Sequence, residues 1–129
     1  MKRATLAVLA LMLTACSSPA PAALAAPSPA AHVLEAHYYV DGTAKGADIT
    51  YATATGIQQE QGVAVPLHNA DGPGITMKGA QVPRTLTISA QNSGATGTIT
   101  CMILVNGEKV ALNTSSGAYA IASCTYSIR

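Results

Sequence analysis

The sequence predicts an all-β protein: an antiparallel, immunoglobulin-like β-sandwich of about seven strands over residues 32–129, pinned by one disulfide. Two observations carry this reading. From residue 32 on, no stretch long enough for a helix spaces its apolar side chains at helical intervals between sensible caps. Instead, short runs rich in Thr, Val, Ile and Tyr are separated by Gly, Asn, Asp and Pro.

The runs follow in order. Residues 32–40 (HVLEAHYYV) stop at the turn signal Asp41-Gly42, and residues 47–55 (ADITYATAT) stop at Gly56. Residues 62–69 (GVAVPLHN) lead into the turn Asp71-Gly72-Pro73-Gly74. In residues 84–91 (RTLTISAQ), Leu86, Ile88 and Ala90 alternate with Thr85, Thr87 and Ser89, the period-two pattern of a strand with one buried face. Asn92-Ser93-Gly94 turns the chain into residues 96–105 (TGTITCMILV). Val105-Asn106-Gly107-Glu108 is the strongest hairpin signal, because a type I′ turn needs two positive φ angles and Asn-Gly tolerates both. A two-residue turn there sets Val105 opposite Glu108, Ile103 opposite Val110 and Cys101 opposite Leu112. Residues 117–128 (GAYAIASCTYSI) form the last run, with Ala120, Ala122, Cys124, Tyr126 and Ile128 on one face.

The N-terminus carries a different message. Lys2 and Arg3 precede an uncharged apolar run, residues 4–15. That run is shorter than the roughly 20 residues a membrane-spanning helix needs, and suits a signal peptide. Leu13-Thr14-Ala15 before Cys16 resembles a bacterial lipobox, which implies cleavage before Cys16 and diacylglycerol attached to its sulfur. Two or more acyl chains anchor a protein stably, whereas one does so only marginally. The predicted organisation is a lipoprotein signal peptide (1–15), a lipidated cysteine with a Pro/Ala-rich tether (16–31) and a β-sandwich domain (32–129). The product is expected at the outer face of the cell membrane. A cut after Ala23-Leu24-Ala25 would instead release a soluble protein, and an uncleaved anchor is the remaining alternative.

Without Lys2 and Arg3, five basic residues face six acidic ones and no basic cluster exists, so the footprint of a nucleic-acid binder is missing. There is no Trp and no Phe to build an aromatic platform. With Cys16 assigned to lipid, Cys101 and Cys124 remain, and an exported chain with an even pair is expected to join them. Closing that loop contributes about 3 kcal/mol in the chain-entropy model, against a typical net stability of about 5–15 kcal/mol. A reactive or metal-binding pair is the rival, but neither a CxxC spacing nor a nearby His supports it.

No catalytic or metal constellation is legible. His32 and His37 are an odd number of residues apart and point to opposite faces of one strand, while His68 falls at a surface turn. The carboxylates are scattered, and no nucleophile elbow or P-loop context is present. The expected cofactor and metal content is none, and the expected activity non-enzymatic. Three tyrosines stand out as candidate partner contacts: Tyr38, Tyr39 and Tyr51. Tyr38 and Tyr39 are consecutive, so one should face the core and the other the outside. Covering the sheet surface is the simpler role for an exposed ring.

The ordered set Tyr38-x-Val40-x-Gly42, Ile49-Thr50-Tyr51, Ser89 to Asn92, Ile99-x-Cys101-x-Ile103-x-Val105-Asn106-Gly107-Glu108 and Ser115 to Cys124 resembles the MmpS family, small transport-accessory proteins of actinobacteria. The resemblance covers the whole domain. It implies a β-sandwich outside the membrane, a Cys101–Cys124 disulfide and work beside a large RND-type exporter (MmpL). Members commonly begin with a transmembrane helix, and this chain departs from them with its lipobox and tether. The leading expectation is a lipid-anchored transport-accessory domain. A small-amphiphile-binding lipoprotein and a structural envelope protein are the alternatives.

Overall fold

In the structure, a computed structural model that describes residues 32–129, alternation of buried and outward side chains begins with β1 (Glu35–Asp41). There Ala36, Tyr38 and Val40 turn inward. The strands that follow are β2 (Gly46–Thr53), β3 (Gly56–Ala64), a small hairpin of β4 (His68–Asn69) and β5 (Gly72–Pro73), and β6 (Ile75–Lys78). After a 3-10 turn at Gly79–Gln81 come β7 (Thr85–Asn92), β8 (Thr98–Val105), β9 (Glu108–Ser116) and β10 (Ile121–Ser127). Eight of these form two four-stranded antiparallel sheets, one ordered β6-β1-β8-β9 and the other β10-β7-β2-β3. The expected sandwich is what the chain forms.

Its core lies between the sheets. Tyr38, Ile49, Leu86, Ile88, Ile99 and Ile103 are almost wholly buried there. Burying each aliphatic side chain contributes about 1.5–3 kcal/mol. The Cys101–Cys124 disulfide crosses this core from β8 in the first sheet to β10 in the second, with a Cα–Cα distance of 6.0 Å. It therefore ties sheet to sheet. Gly42 closes the turn after β1 at φ +139°, and a Cβ there would overlap the Thr98 carbonyl, so the close approach requires glycine. Asn92, fully buried, donates from Nδ2 to the carbonyls of Thr96 and Gly117, both at 2.9 Å, and accepts the Gly94 N–H at 2.8 Å.

The sandwich has eight strands, in keeping with the expected number of about seven; residues 75–78 are among them, pairing with β1 as β6. Two expectations need correction. β3 begins at Gly56, not at residue 62: Ile57 to Glu60 pair with β2 at the sheet edge, where no alternation is required, and a register shift precedes Val63 and Ala64, which pair with Ala47 and Gly46. The β8–β9 register holds only at the turn, where Val105 faces Glu108 and Leu104 faces Lys109. A bulge then intervenes, so Ile103 faces Ala111, Met102 faces Leu112 and Cys101 faces Asn113. The extra residue, Val110, joins Ala111 on the core side.

Candidate functional site

The three candidate tyrosines part company. Tyr38 is fully buried, so the reading of it as a partner contact is corrected. Its ring crosses the core, where its hydroxyl donates to the Ala52 carbonyl at 2.9 Å and accepts the Thr87 N–H at 3.2 Å. The β2–β7 ladder ends at the pair Tyr51 and Ile88, and Ala52 and Thr87 would be the next pair. A hydroxyl from the opposite sheet thus bridges the place of a ladder bond. Burial pushes the Tyr38 pKa up to about 12, against the lowering effect of the Thr87 N–H. Tyr51 lies on the inner face of the second sheet, half-buried, edge-on to Tyr38 with ring centroids 6.0 Å apart. Its hydroxyl donates to Glu60 Oε1 at 2.7 Å. Burial, then the hydrogen bond and negative charge of Glu60, raise its pKa to about 12.

Tyr39 alone of the three lies on an outward sheet face. Antiparallel register sets it beside Met102 of β8, and Met102 beside Leu112 of β9. Leu104 flanks this row from the next rung, opposite His37. Leu112 is 55% exposed, and Tyr39, Met102 and Leu104 are half-buried. His37 stacks on Tyr39 with ring centroids 5.9 Å apart. Its ring is held at both nitrogens, by Thr76 Oγ1 at 3.0 Å from Nδ1 and by Glu35 Oε1 at 2.8 Å from Nε2. This hydroxyl–imidazole–carboxylate line runs across neighbouring strands on an open sheet face, where it fixes the ring under Tyr39.

The outer face of the second sheet is richer in hydroxyl and amide side chains. Ser89 and Ser123 hydroxyls are 2.9 Å apart and Thr87 and Thr125 hydroxyls 3.5 Å apart, while Gln59 Nε2 donates to Thr50 Oγ1. A polar hollow of about 250 Å³ on that side involves Asp48, Thr50, Gln59 and Gln91. Both outward faces carry cross-strand hydrogen bonds, Thr100 to Thr114 at 2.8 Å among those of the first sheet, and Ile121 is exposed on the second, but the contiguous apolar row of Tyr39, Met102 and Leu112 lies on the first. Outward faces of antiparallel sheets are ordinarily polar, and the apolar row departs from that pattern.

A second feature is a groove of about 460 Å³ where the two sheets part at the β3 and β6 edges. Thr53, Thr55 and Gln58 form one wall, and Thr76, Met77 and Gln81 the other. Among the described residues, no three His, Cys, Asp or Glu side chains come together in a way that could hold a metal ion. No helix among them is long and apolar enough to cross a membrane.

Parity in residues 96–105 already puts Met102 and Leu104 on the face opposite Cys101. Leu112 could not be found that way, because the bulge at Val110 decides its face. Cys16 and the tether lie outside the described residues. Compared with known proteins, the chain matches no protein-family model and no curated protein.

Proposed function

We propose that the protein is a lipid-anchored, non-enzymatic binding domain at the outer face of the cell membrane, assisting an RND-type exporter of the MmpL kind. The lipobox before Cys16 supports the anchor, and the resemblance to MmpS supports the transport role. The observation that carries the reading is the apolar row of Tyr39, Met102 and Leu112 on an outward sheet face, next to a stacked and pinned His37. An aromatic ring and flexible aliphatic side chains give a protein partner a rigid anchor surrounded by adaptable contact area. The anchor holds that face near the membrane, where tethering raises its effective concentration beside a membrane-bound partner.

The test is crosslinking in native cells, then purification in mild detergent and mass spectrometry of the co-purifying proteins. The full-length chain should recover an RND exporter. The Met102→Thr/Leu112→Thr variant should lose it while staying folded with a melting temperature close to the parent's, since both side chains point away from the core and threonine suits a strand. Recovery of no exporter, or equal recovery by the variant, would refute the proposal. A second reading, binding of a small amphiphile, is favoured by the inter-sheet groove over Met77. Lipid extracted from the purified protein in stoichiometric amount would support it.

A further inference from the structure

The basic side chains of residues 32–129 are not spread evenly. Lys78 ends β6, Arg84 precedes β7, Lys109 follows the Asn106-Gly107 turn and Arg129 follows β10. Backbone contacts bring these positions to one pole of the sandwich. Asn106 N–H donates to Glu35 O, Gly79 N–H to Leu34 O, Ala54 N–H to Gln81 O and Ile128 N–H to Arg84 O. Four of the five basic residues therefore share this pole with two carboxylates, Glu35 and Glu108. The remainder of the domain carries Lys45 with Asp41, Asp48, Glu60 and Asp71. The side-chain charge is thus positive at one pole and negative elsewhere, although the whole domain is nearly neutral.

Two further features coincide with the basic pole. The chain enters the domain there, because Val33 lies against Gly79. Two exposed aliphatic side chains are there as well, Val33 at 64% and Ile57, in the β2–β3 hairpin, at 62%. All four cations are exposed. Lys78 is 3.5 Å from Glu35, while Arg84, Lys109 and Arg129 make no ion pair among the described residues.

We infer that this pole rests on a bilayer surface carrying anionic headgroups. The inference takes the lipid-anchored reading as its setting. The segment between Cys16 and His32 spans at most about 55–60 Å at full extension, so a tether of that length does not by itself determine which end of the domain meets the membrane. Charge does. Each basic side chain near an anionic surface strengthens the contact about fivefold, and the effect fades beyond a Debye length of roughly 10 Å. Exposed Val33 and Ile57 add apolar contact at the headgroup boundary, and the carboxylates elsewhere oppose the inverted placement. Set down this way, the strands run away from the membrane, and the Tyr39, Met102 and Leu112 row faces sideways, towards a neighbour in the same membrane.

The full-length processed protein is reconstituted into vesicles of phosphatidylcholine alone, or with about one-third phosphatidylglycerol, and amide hydrogen exchange is followed by mass spectrometry. On anionic vesicles at low salt, amides in 78–84 and 106–109 should exchange more slowly than on neutral vesicles, while those in 42–45 and 93–97 stay unchanged. The difference should vanish at about 0.5 M salt, where screening is nearly complete. In Arg84→Gln/Lys109→Gln the contact should weaken about 25-fold, at fivefold per charge. Equal exchange of 78–84 on both lipids, or protection of the opposite pole, would overturn the inference. Flotation on neutral vesicles tests the anchor separately. If the protein does not float on them, the anchored reading fails and flotation on anionic vesicles decides the pole: salt-sensitive binding sustains it, and no binding refutes it.

Discussion

Tyr38→Phe removes one oxygen and keeps the ring, so the core keeps its volume and the edge-on contact with Tyr51. It deletes the hydroxyl between the Ala52 carbonyl and the Thr87 N–H, and β2 and β7 are left facing each other there without a bridge. A buried group left without a partner costs about 1–3 kcal/mol, so two of them should cost about 2–4 kcal/mol after partial relaxation. For a domain of this size that lowers the melting temperature by roughly 10–25 °C. The assay is urea or thermal unfolding of the disulfide-intact protein. An alkaline series supplies a second, independent reading. Burial holds the Tyr38 pKa at about 12 in the folded protein, against an ordinary value of 10.0 in the unfolded chain. Between those values the folded state binds the proton that the unfolded state has lost. Stability from this group is therefore whole below pH 10 and declines by about 3 kcal/mol as pH rises through 12. The phenylalanine variant lacks that decline, so the stability gap between the two proteins should narrow across pH 10–12. Tyr51, also raised to about 12, titrates in both proteins and drops out of the difference. A loss below about 0.5 kcal/mol at neutral pH, or a gap that does not change with pH, would refute the bridging role.

Cys101→Ser should destabilise the domain by about 2–5 kcal/mol, since it unties the two sheets as well as lengthening the free chain, and an unchanged melting curve would contradict this. Asn92→Ala strands the Thr96 and Gly117 carbonyls and the Gly94 N–H, and should cost about 2–4 kcal/mol in urea unfolding. Because those three partners lie in loops at one pole, amide exchange in 93–97 and 117–120 should rise more than in β8. Uniform loosening would point to a general core effect instead.

What is local in this protein is legible in its sequence. The faces of β7, β8 and β10 follow from period-two alternation alone, because neighbouring side chains on a strand must point to opposite faces. The Asn106-Gly107 turn and the pairing of Cys101 with Cys124 are likewise readable, one from the φ angles a tight hairpin demands and the other from counting cysteines. Parity even marks Met102 and Leu104 as outward residues.

The remainder depended on which strands became neighbours. Residues 57–61 carry no alternation because their strand lies at an edge, and residues 75–78 become a strand only because β1 has a free side to pair with. Consecutive Tyr38 and Tyr39 had to face opposite ways, but only the second sheet, with Ala52 and Thr87 turned towards it, gave the inner hydroxyl its role. The bulge at Val110 moved Leu112 from the core face to the outward row beside Met102, a one-residue slip that reverses every side chain beyond it. Four cations dispersed along the sequence met at one pole because strand ends that are distant in the chain are adjacent in a sandwich. Alternation and turn chemistry act over two to four residues, so the sequence by itself determined the strands and their faces. Register, edges and the clustering of surface charge are properties of non-local pairing, and only the tertiary structure decided them.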